Sequence, residues 1–401
     1  MNGVVHKYGG SSVATIEKIK AIAEHVARVR RDGRDIAIVA SAMGKTTNEL
    51  IALAHELSEH PSPRELDSLL STGEQKTVTL LAMALTEIGI PAVSLTGTQA
   101  GFITNRNHSH AKIIDIQIDT VRSWIDRGYV PVLAGFQGRD KDGNITTLGR
   151  GGSDTTAVAL AAKLKWDCEI YTDVDGVYTV DPRKCPDAKK LSVIKNDEMM
   201  EMASLGAGVL ETRSVELAKK YGVKLFLGMS LEVDLSKGTY IMNDTFEDMP
   251  VTGISIKEDC TMIRVKNLEG GGKGTSRVFD IISGLDINVD MINQQLSDDG
   301  KSMLTFSCTE ADAQKFLDTA SSQGLSYPIE KQSGLTKLSL VGAGMITHSG
   351  VAGKAFATLV AEGIAYHQVS TSEISISITV DDKNRDRAVA VLADTFDLVE
   401  K

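Results

Sequence analysis

Aromatic residues make up only 5% of this 401-residue chain, and cysteine is sparser still, with four in all. Cys168, Cys185, Cys260 and Cys308 lie far apart, with no C-x-x-C pair and no histidine at metal-ligand spacing, which leaves them as buried or indifferent thiols. His108 and His110 sit close together, but their neighbours are polar and no acid follows at zinc spacing, so they read as a solvated loop and no metal site is expected. No apolar run approaches the ~18 residues of a membrane span, and no charged-then-apolar leader precedes the strand-like start. These absences exclude a membrane partner and predict a cytoplasmic protein. A basic tract is missing too: net charge is -10, pI is near 5.4, and Lys and Arg are scattered, which argues against nucleic acid or an anionic membrane surface. Any phosphate this chain handles is bound locally.

What is present is an ordinary globular composition, 42% hydrophobic and 24% charged, at a length that predicts two or three domains. Short apolar runs at 3–7, 36–41, 92–95, 130–135 and 169–172 alternate with helical patterns at 15–29, 48–57, 67–88, 112–127 and 155–164. This alternation means βαβ units around a mostly parallel sheet, an α/β fold whose ligands bind at the carboxyl ends of the strands. Residues 196–203 and 214–221 are helical again, 223–227 strand-like, and the charged stretch 232–250 reads as a linker. Beyond it lies an internal repeat: strand, helix, two strands and helix over 262–321, and the same over 337–395. Phe279 and Phe356 fall at equivalent helix positions, each eight residues before a strand-opening isoleucine, Ile287 and Ile364. Each βαββαβ-like unit is too small to have much core alone, so the two are expected to pack together.

Three segments carry chemistry. Lys7-Tyr8-Gly9-Gly10-Ser11-Ser12-Val13 ends a strand in a cation and a glycine turn, a phosphate cradle with Lys7 as a point charge. Gly149-Arg150-Gly151-Gly152-Ser153-Asp154 places a planar cation, bare backbone and a carboxylate at a helix start, with Ser153 or Asp154 as N-cap. An ordinary glycine turn before a surface helix is the plainer alternative for that run standing alone. Thr172-Asp173-Val174-Asp175-Gly176-Val177-Tyr178-Thr179-Val180-Asp181-Pro182-Arg183 offers a flat ring and a cation suited to a nucleoside and its phosphates, or is simply a polar loop. Neither familiar nucleotide pattern applies. A Walker loop ending in Gly44-Lys45-Thr46 would need glycine at Val39, and a dinucleotide loop at Gly342-Ala343-Gly344 would need glycine at Thr347.

Together with Ser41-Ala42-Met43-Gly44-Lys45-Thr46-Thr47-Asn48, Ser71-Thr72-Gly73-Glu74 and Gly135-Phe136-Gln137-Gly138, these segments resemble aspartate kinases, in order and at the right intervals. The repeat resembles the paired ACT domains those enzymes carry. The resemblance implies an amino-acid kinase catalytic domain over 1–235, a linker over 236–255, and ACT domains over 256–330 and 331–401. It implies transfer of the γ-phosphoryl group of ATP to the β-carboxylate of L-aspartate, giving 4-phospho-L-aspartate on the way to lysine, threonine and methionine. Mg²⁺ would bridge the ATP phosphates, with no prosthetic group. Lys7 would stabilise the transferring phosphoryl group and Asp154 organise the site. Tyr8, Gly9, Gly10, Thr172, Asp173, Tyr178, Arg183, Gly208 and Val209 would contact ATP. Arg150 would hold the substrate α-carboxylate and Glu74 its ammonium, with Ser41, Thr47, Gly151, Gly152 and Ser153 around them. Without that resemblance, Ser41 and Thr47 could equally cap the following helix. Glu74 resists a plain reading, because an unpaired acid on an apolar helix is costly to bury.

In the repeats, Asn288, Val289, Asp290 and Gln294, with Thr371, Ser372 and Glu373, would bind lysine and/or threonine as effector, and the ACT units would pair subunits into a homodimer or homotetramer. Two departures stand out. The family's usual Gly-Ala-Lys-Val-Leu is here Gly206-Ala207-Gly208-Val209-Leu210, without the lysine, and its Pro-Gly before the first ACT helix is here Gly270-Gly271-Gly272-Lys273-Gly274. The competing expectations are a glutamate, acetylglutamate or uridylate kinase of the same fold, or a non-catalytic amino-acid sensor.

Overall fold

The computed structural model describes residues 3–232, 234–243, 249–270, 272–297 and 300–400; Gly271 of the glycine run lies outside them. The chain divides into two compact units, and the division is not linear in sequence. The first takes 1–177, 190–203 and 208–246; the second takes 178–189, 204–207 and 247–401.

In the first unit an eight-stranded sheet runs, edge to edge, Val193–Lys195, Thr239–Met242, Leu225–Met229, Asp167–Thr172, Gly3–Tyr8, Asp35–Ala40, Val130–Ala134 and Ala92–Leu95. The six strands from Leu225–Met229 to Ala92–Leu95 are parallel. Gly3–Tyr8 is buried along its whole length, His6 and Lys7 included, so these two polar residues need partners within the fold. The helix Ile16–Arg31 packs on it through Ile19, Ile22, Ala23 and Val26, the spacing of a single helical face. Thr15 caps that helix by accepting the Lys18 N–H at 3.3 Å.

A polar cluster is sealed inside this unit. His6 Nε2 lies 3.0 Å from Glu169, Tyr171 Oη donates to the same carboxylate at 2.8 Å, and Arg34 reaches it at 3.2 Å. Burial works against the charge of Glu169, but the bonds from His6 and Tyr171 and the charges of His6 and Arg34 hold its pKa down to about 2. Burial and neighbouring cations press His25, stacked edge-on against His6, down to about 4.

Two sequence expectations change here. Residues 112–127 are not one helix: Ile113–Ile116 is a strand of a small four-stranded sheet with Phe102–Thr104, Gln137–Arg139 and Ile145–Thr147, and only Asp119–Asp126 is helical. The stretch read as a linker contains the strand Thr239–Met242, which runs antiparallel to Leu225–Met229.

In the second unit both repeats share one six-stranded sheet, ordered Asp290–Leu296, Ser302–Cys308, Gly253–Leu268, Ile329–Val341, Ser375–Asp381, Tyr366–Thr371. The two long central strands serve both repeats. Gly253–Leu268 pairs with Ser302–Cys308 along 261–268, and Ile329–Val341 pairs with Ser375–Asp381 along 335–341. Helices Lys273–Gly284 and Glu310–Ser322 cover one core, and Val351–Ala361 with Arg385–Thr395 covers the other. Phe279 and Phe356 sit at matching rims of these cores, as their spacing predicts. The edge strands begin a little later than the pattern suggests, because buried Ile287 and Ile364 belong to the preceding turns. Residues 178–189 pack into this unit through Val180, Cys185 and Ala188, with the Thr179 hydroxyl donating to the Leu398 carbonyl at 2.6 Å.

Leu81 is fully buried in the first core and Leu57 is 91% exposed. Leu81→Ala should therefore cost about 2–5 kcal/mol, read as a lower denaturation midpoint, while Leu57→Ala should stay within about 0.5 kcal/mol.

Candidate active site

The strand Gly3–Tyr8 delivers Lys7 to the sheet's carboxyl edge, where its ammonium meets Asp154 at 2.6 Å. Asp154 reaches that point from the first turn of the helix Gly152–Leu164. The N-cap is neither Ser153 nor Asp154, as the sequence suggests, but Gly151, which takes a left-handed φ of 61°. A Cβ there would also lie 2.3 Å from that of Glu211, so glycine is required. The shift places Ser153 and Asp154 inside the helix, where the exposed N–H groups and the helix dipole favour a carboxylate. A second close approach is at Gly10, where a Cβ would come within 2.9 Å of the Ala42 carbonyl.

Lys7, Gly10, Ser41, Thr47, Glu74, Arg150, Gly151, Gly152, Ser153 and Asp154 line one cleft of about 520 Å³. Ser41 and Thr47 are not caps: the helix Thr46–Leu57 has Lys45 at its N-cap position and no side-chain cap bond. Glu74 is only 3% exposed. Its Oε1 accepts the Ala42 N–H at 3.2 Å, while its Oε2 is buried without a partner among the described residues. Burial raises its pKa to about 7, against the smaller opposing pull of its backbone hydrogen bonds. A buried acid with one oxygen unanswered, lining a cleft, is a site for a cation. Arg150, exposed at the cleft, makes no ion pair or hydrogen bond among the described residues, so its fork is available to an anion.

The expected nucleotide contacts are not gathered in the same way. Tyr8 is fully buried in the core, stacked on Tyr171 at 5.3 Å, and its carbonyl is taken by the Ser41 N–H; its side chain cannot line the cleft. Gly9 donates its N–H to the Tyr171 carbonyl at 3.2 Å. The Thr172 carbonyl is held by the N–H and hydroxyl of Ser230, whose hydroxyl also meets that of Ser12 at 2.5 Å, and Asp173 is exposed beside it. Tyr178 and Arg183 belong to the second unit. There Tyr178 packs on the core, and the Arg183 guanidinium binds Asp181 through Nε at 3.0 Å and Nη2 at 2.7 Å. Gly208 is exposed with nothing within 4 Å of an added Cβ, and half-buried Val209 follows it.

Some cleft residues were not foreseen. Ser109, His110, Phe136, Thr147 and Gly149 also line the cleft. The histidine loop is solvated only in part: Arg106, Asn107 and His110 are exposed, but His108 Nδ1 lies 2.8 Å from the buried carboxylate of Asp67. The available signal was Asp67 itself, an acid on the apolar face that also carries Glu74.

Among the effector candidates, Asp290 is already engaged. Lys337, buried to 1% exposure, pairs with it, and Lys257 lies 3.6 Å away. Burial would raise the Asp290 carboxyl, but the bond and charge of Lys337 hold it below the usual range. Asn288 is exposed, Val289 packs on the first core, and Gln294 is exposed on the edge strand. Thr371, Ser372 and Glu373 form a hairpin end, closed by the Ser372 N–H on the Ser375 carbonyl at 2.9 Å.

Residues 2–228 match the amino acid kinase family and residues 338–396 match an ACT domain. An aspartokinase of Bacillus sp. (strain MGA3) is 44% identical over 404 residues, spanning 99% of this chain and 98% of the relative. The crystal structure of E. coli aspartokinase III in complex with aspartate and ADP (R-state) superposes with a TM-score of 0.80 at 24% identity, covering 98% of this chain and 99% of that one. The same enzyme in complex with lysine and aspartate (T-state) gives 0.79 at 24%, covering 100% of each chain. At that identity the two structures speak for the fold.

Glu74 supplies a pH test. Its folded pKa of about 7 lies above the ordinary 4.5, so its contribution to stability is complete below pH 4.5 and is lost as the pH rises to about 7. Glu74→Gln should flatten that decline in a pH series of melting curves. A cationic ligand needs the ionised form, so its affinity for the wild-type chain should fall as the pH drops below about 7, and an unchanged affinity would contradict the assignment.

Proposed function

The chain belongs to the amino acid kinase family and, within it, to the aspartokinases, and from that premise we propose that it transfers the γ-phosphoryl group of ATP to the β-carboxylate of L-aspartate, giving 4-phospho-L-aspartate, at the cleft that joins Lys7, Glu74, Arg150 and Asp154. The observation that carries the assignment is the orphaned Oε2 of Glu74 in the same cleft as the unpaired fork of Arg150. Together they complement the ammonium and carboxylate of an amino acid. Acetylglutamate and uridylate lack a free ammonium and would leave Glu74 unanswered.

The acceptor is a carboxylate with an ordinary pKa of ~3.9, already ionised at neutral pH, so no general base is needed. Catalysis reduces to alignment and charge neutralisation. ATP would be taken as its magnesium complex, in which the metal would supply neutralisation of phosphate charge. Lys7, steered by Asp154 at 2.6 Å, meets the transferring phosphoryl group. Ser41, Thr47 and Ser153 hydrogen-bond the substrate, and Gly151 and Gly152 let backbone N–H groups approach it. Gly9, Gly10, Thr172 and Asp173, at the adjoining strand ends, with Gly208 and Val209 of the same unit, serve the nucleotide. Gly208, where the family carries lysine, leaves ATP one cation short.

The catalytic domain is followed by paired ACT repeats that take lysine and/or threonine and shift the kinase toward an inactive arrangement in a homodimer or homotetramer. The E. coli enzyme in complex with lysine and aspartate, in its T-state, supports this reading. Asn288, Val289, Asp290 and Gln294, with Thr371, Ser372 and Glu373, are the residues assigned to that effector. The reaction belongs to cytoplasmic synthesis of lysine, threonine and methionine.

ADP release with Mg-ATP should require L-aspartate and fail with glutamate, acetylglutamate or UMP; no turnover with aspartate would overturn the assignment. Arg150→Ala should raise KM for aspartate about 10–100-fold, the loss of a charge-assisted pair, while KM for ATP moves little. Gly208→Lys, for which the backbone leaves open space, should lower KM for ATP. A KM for ATP that does not fall would show that the missing cation is not felt.

A further inference from the structure

Asp67 is fully buried and does not line the cleft, yet it ties down one of the cleft's walls. Its Oδ1 accepts the Thr147 hydroxyl at 2.5 Å. The Ser109 N–H reaches Oδ1 at 3.0 Å and Oδ2 at 3.1 Å, and His108 Nδ1 lies 2.8 Å from Oδ2. These donors come from two separate segments, a histidine loop and the end of the strand Ile145–Thr147. The Ala111 N–H joins the same two segments through the Thr147 carbonyl at 2.9 Å.

The loop needs such a hold. Ser109 has a left-handed φ of 66°, a conformation that a residue with a side chain keeps only where its surroundings over-determine it. Its N–H is the one held by both Asp67 oxygens. Beyond Thr147 the chain passes Gly149, where an added Cβ would lie 2.9 Å from His110 Nδ1, and reaches Arg150. Loop and strand end therefore form a single surface, and Arg150 leaves from its margin.

The helix Pro63–Glu87 links this surface to the opposite pole of the substrate. Asp67 and Glu74 are seven residues apart on it, two turns along one face, and both are buried. One rigid element thus carries the acid assigned to the ammonium and the acid that fixes the wall bearing the carboxylate fork. The ammonium and α-carboxylate of an amino acid are a fixed distance apart, so the spacing from Glu74 to Arg150 governs how well both are met at once.

We propose that Asp67 is a positioning residue for the amino-acid substrate: through Thr147, Ser109 and His108 it sets the place of Arg150 relative to Glu74 without touching the substrate. The inference rests on the assignment of Arg150 and Glu74 to the substrate's two charged ends.

Steady-state kinetics of the full chain test it, with Arg150→Ala as reference. Asp67→Ala should raise KM for aspartate about 10-fold or more and leave KM for ATP within about 2-fold, because only one substrate depends on this wall. Asp67→Asn should recover most of the loss: its amide oxygen still accepts from Thr147 and Ser109, and its NH₂ can donate to neutral His108 Nδ1. A general weakening of the fold would not give that split or that rescue. Should Asp67→Ala fail to fold, Thr147→Val removes one donor at equal volume and should raise KM for aspartate about 3-fold. An aspartate KM unchanged in Asp67→Ala, or in Thr147→Val where that variant stands in, while Arg150→Ala raises it, overturns the role of Asp67 alone. Both KM values rising together in Asp67→Ala overturns it too. An aspartate KM unmoved by Arg150→Ala brings down the substrate-site assignment and this inference with it.

Discussion

Lys7 and Asp154 approach to 2.6 Å where the strand Gly3–Tyr8 ends and the helix Gly152–Leu164 begins, and both side chains are largely buried, 10% and 12% exposed. Two ions taken that far out of water must satisfy each other, and losing one partner would cost about 3–5 kcal/mol. The arrangement therefore needs both elements in register. The parallel strands on either side of Gly3–Tyr8 fix the lysine, and the left-handed turn at Gly151 fixes the start of the helix. Asp154 is the counter-charge that lets the lysine be held at the sheet's carboxyl edge.

The remaining charges of the cleft are deliberately unmatched by comparison. Glu74 has one oxygen unanswered, and Arg150 has no partner among the described residues. An acid held near pKa 7 and an exposed guanidinium are poor contributors to stability, and a zwitterionic ligand satisfies both. On the proposed assignment the matched pair serves phosphoryl transfer and the unmatched pair recognises the substrate. The run 149–154, which in isolation reads as an anion grip, then contributes to both, with Arg150 assigned to the substrate and Asp154 paired to the lysine.

Much of this was legible in the chain. The parallel sheet follows from buried apolar runs, the repeat from matched phenylalanines and isoleucines, and Glu74 from the cost of an acid on an apolar helix. What escaped depends on contacts distant in sequence. Asp67 meets Thr147 eighty residues away and His108 forty-one, so the anchoring of His108 in an otherwise solvated loop could not be read from local pattern. The N-cap falls at Gly151, in a left-handed conformation where Glu211 also leaves no room for a Cβ, a constraint invisible in the segment itself. Tyr8 reads as part of a phosphate motif, but strand alternation turns its ring into the core against Tyr171. The sharing of both long strands between the two repeats was hidden because each repeat, read alone, already looks like a complete unit.

The central claim is that one cleft holds an amino acid between Glu74 and Arg150 and presents it to a phosphoryl group at Lys7. A crystal structure with L-aspartate and a non-hydrolysable ATP analogue tests it most directly. The account predicts the α-ammonium on Glu74 Oε2, the α-carboxylate on the Arg150 fork and the terminal phosphate on Lys7. Phosphates bound at Arg150, with the amino acid elsewhere and Glu74 Oε2 still unpaired, would contradict it.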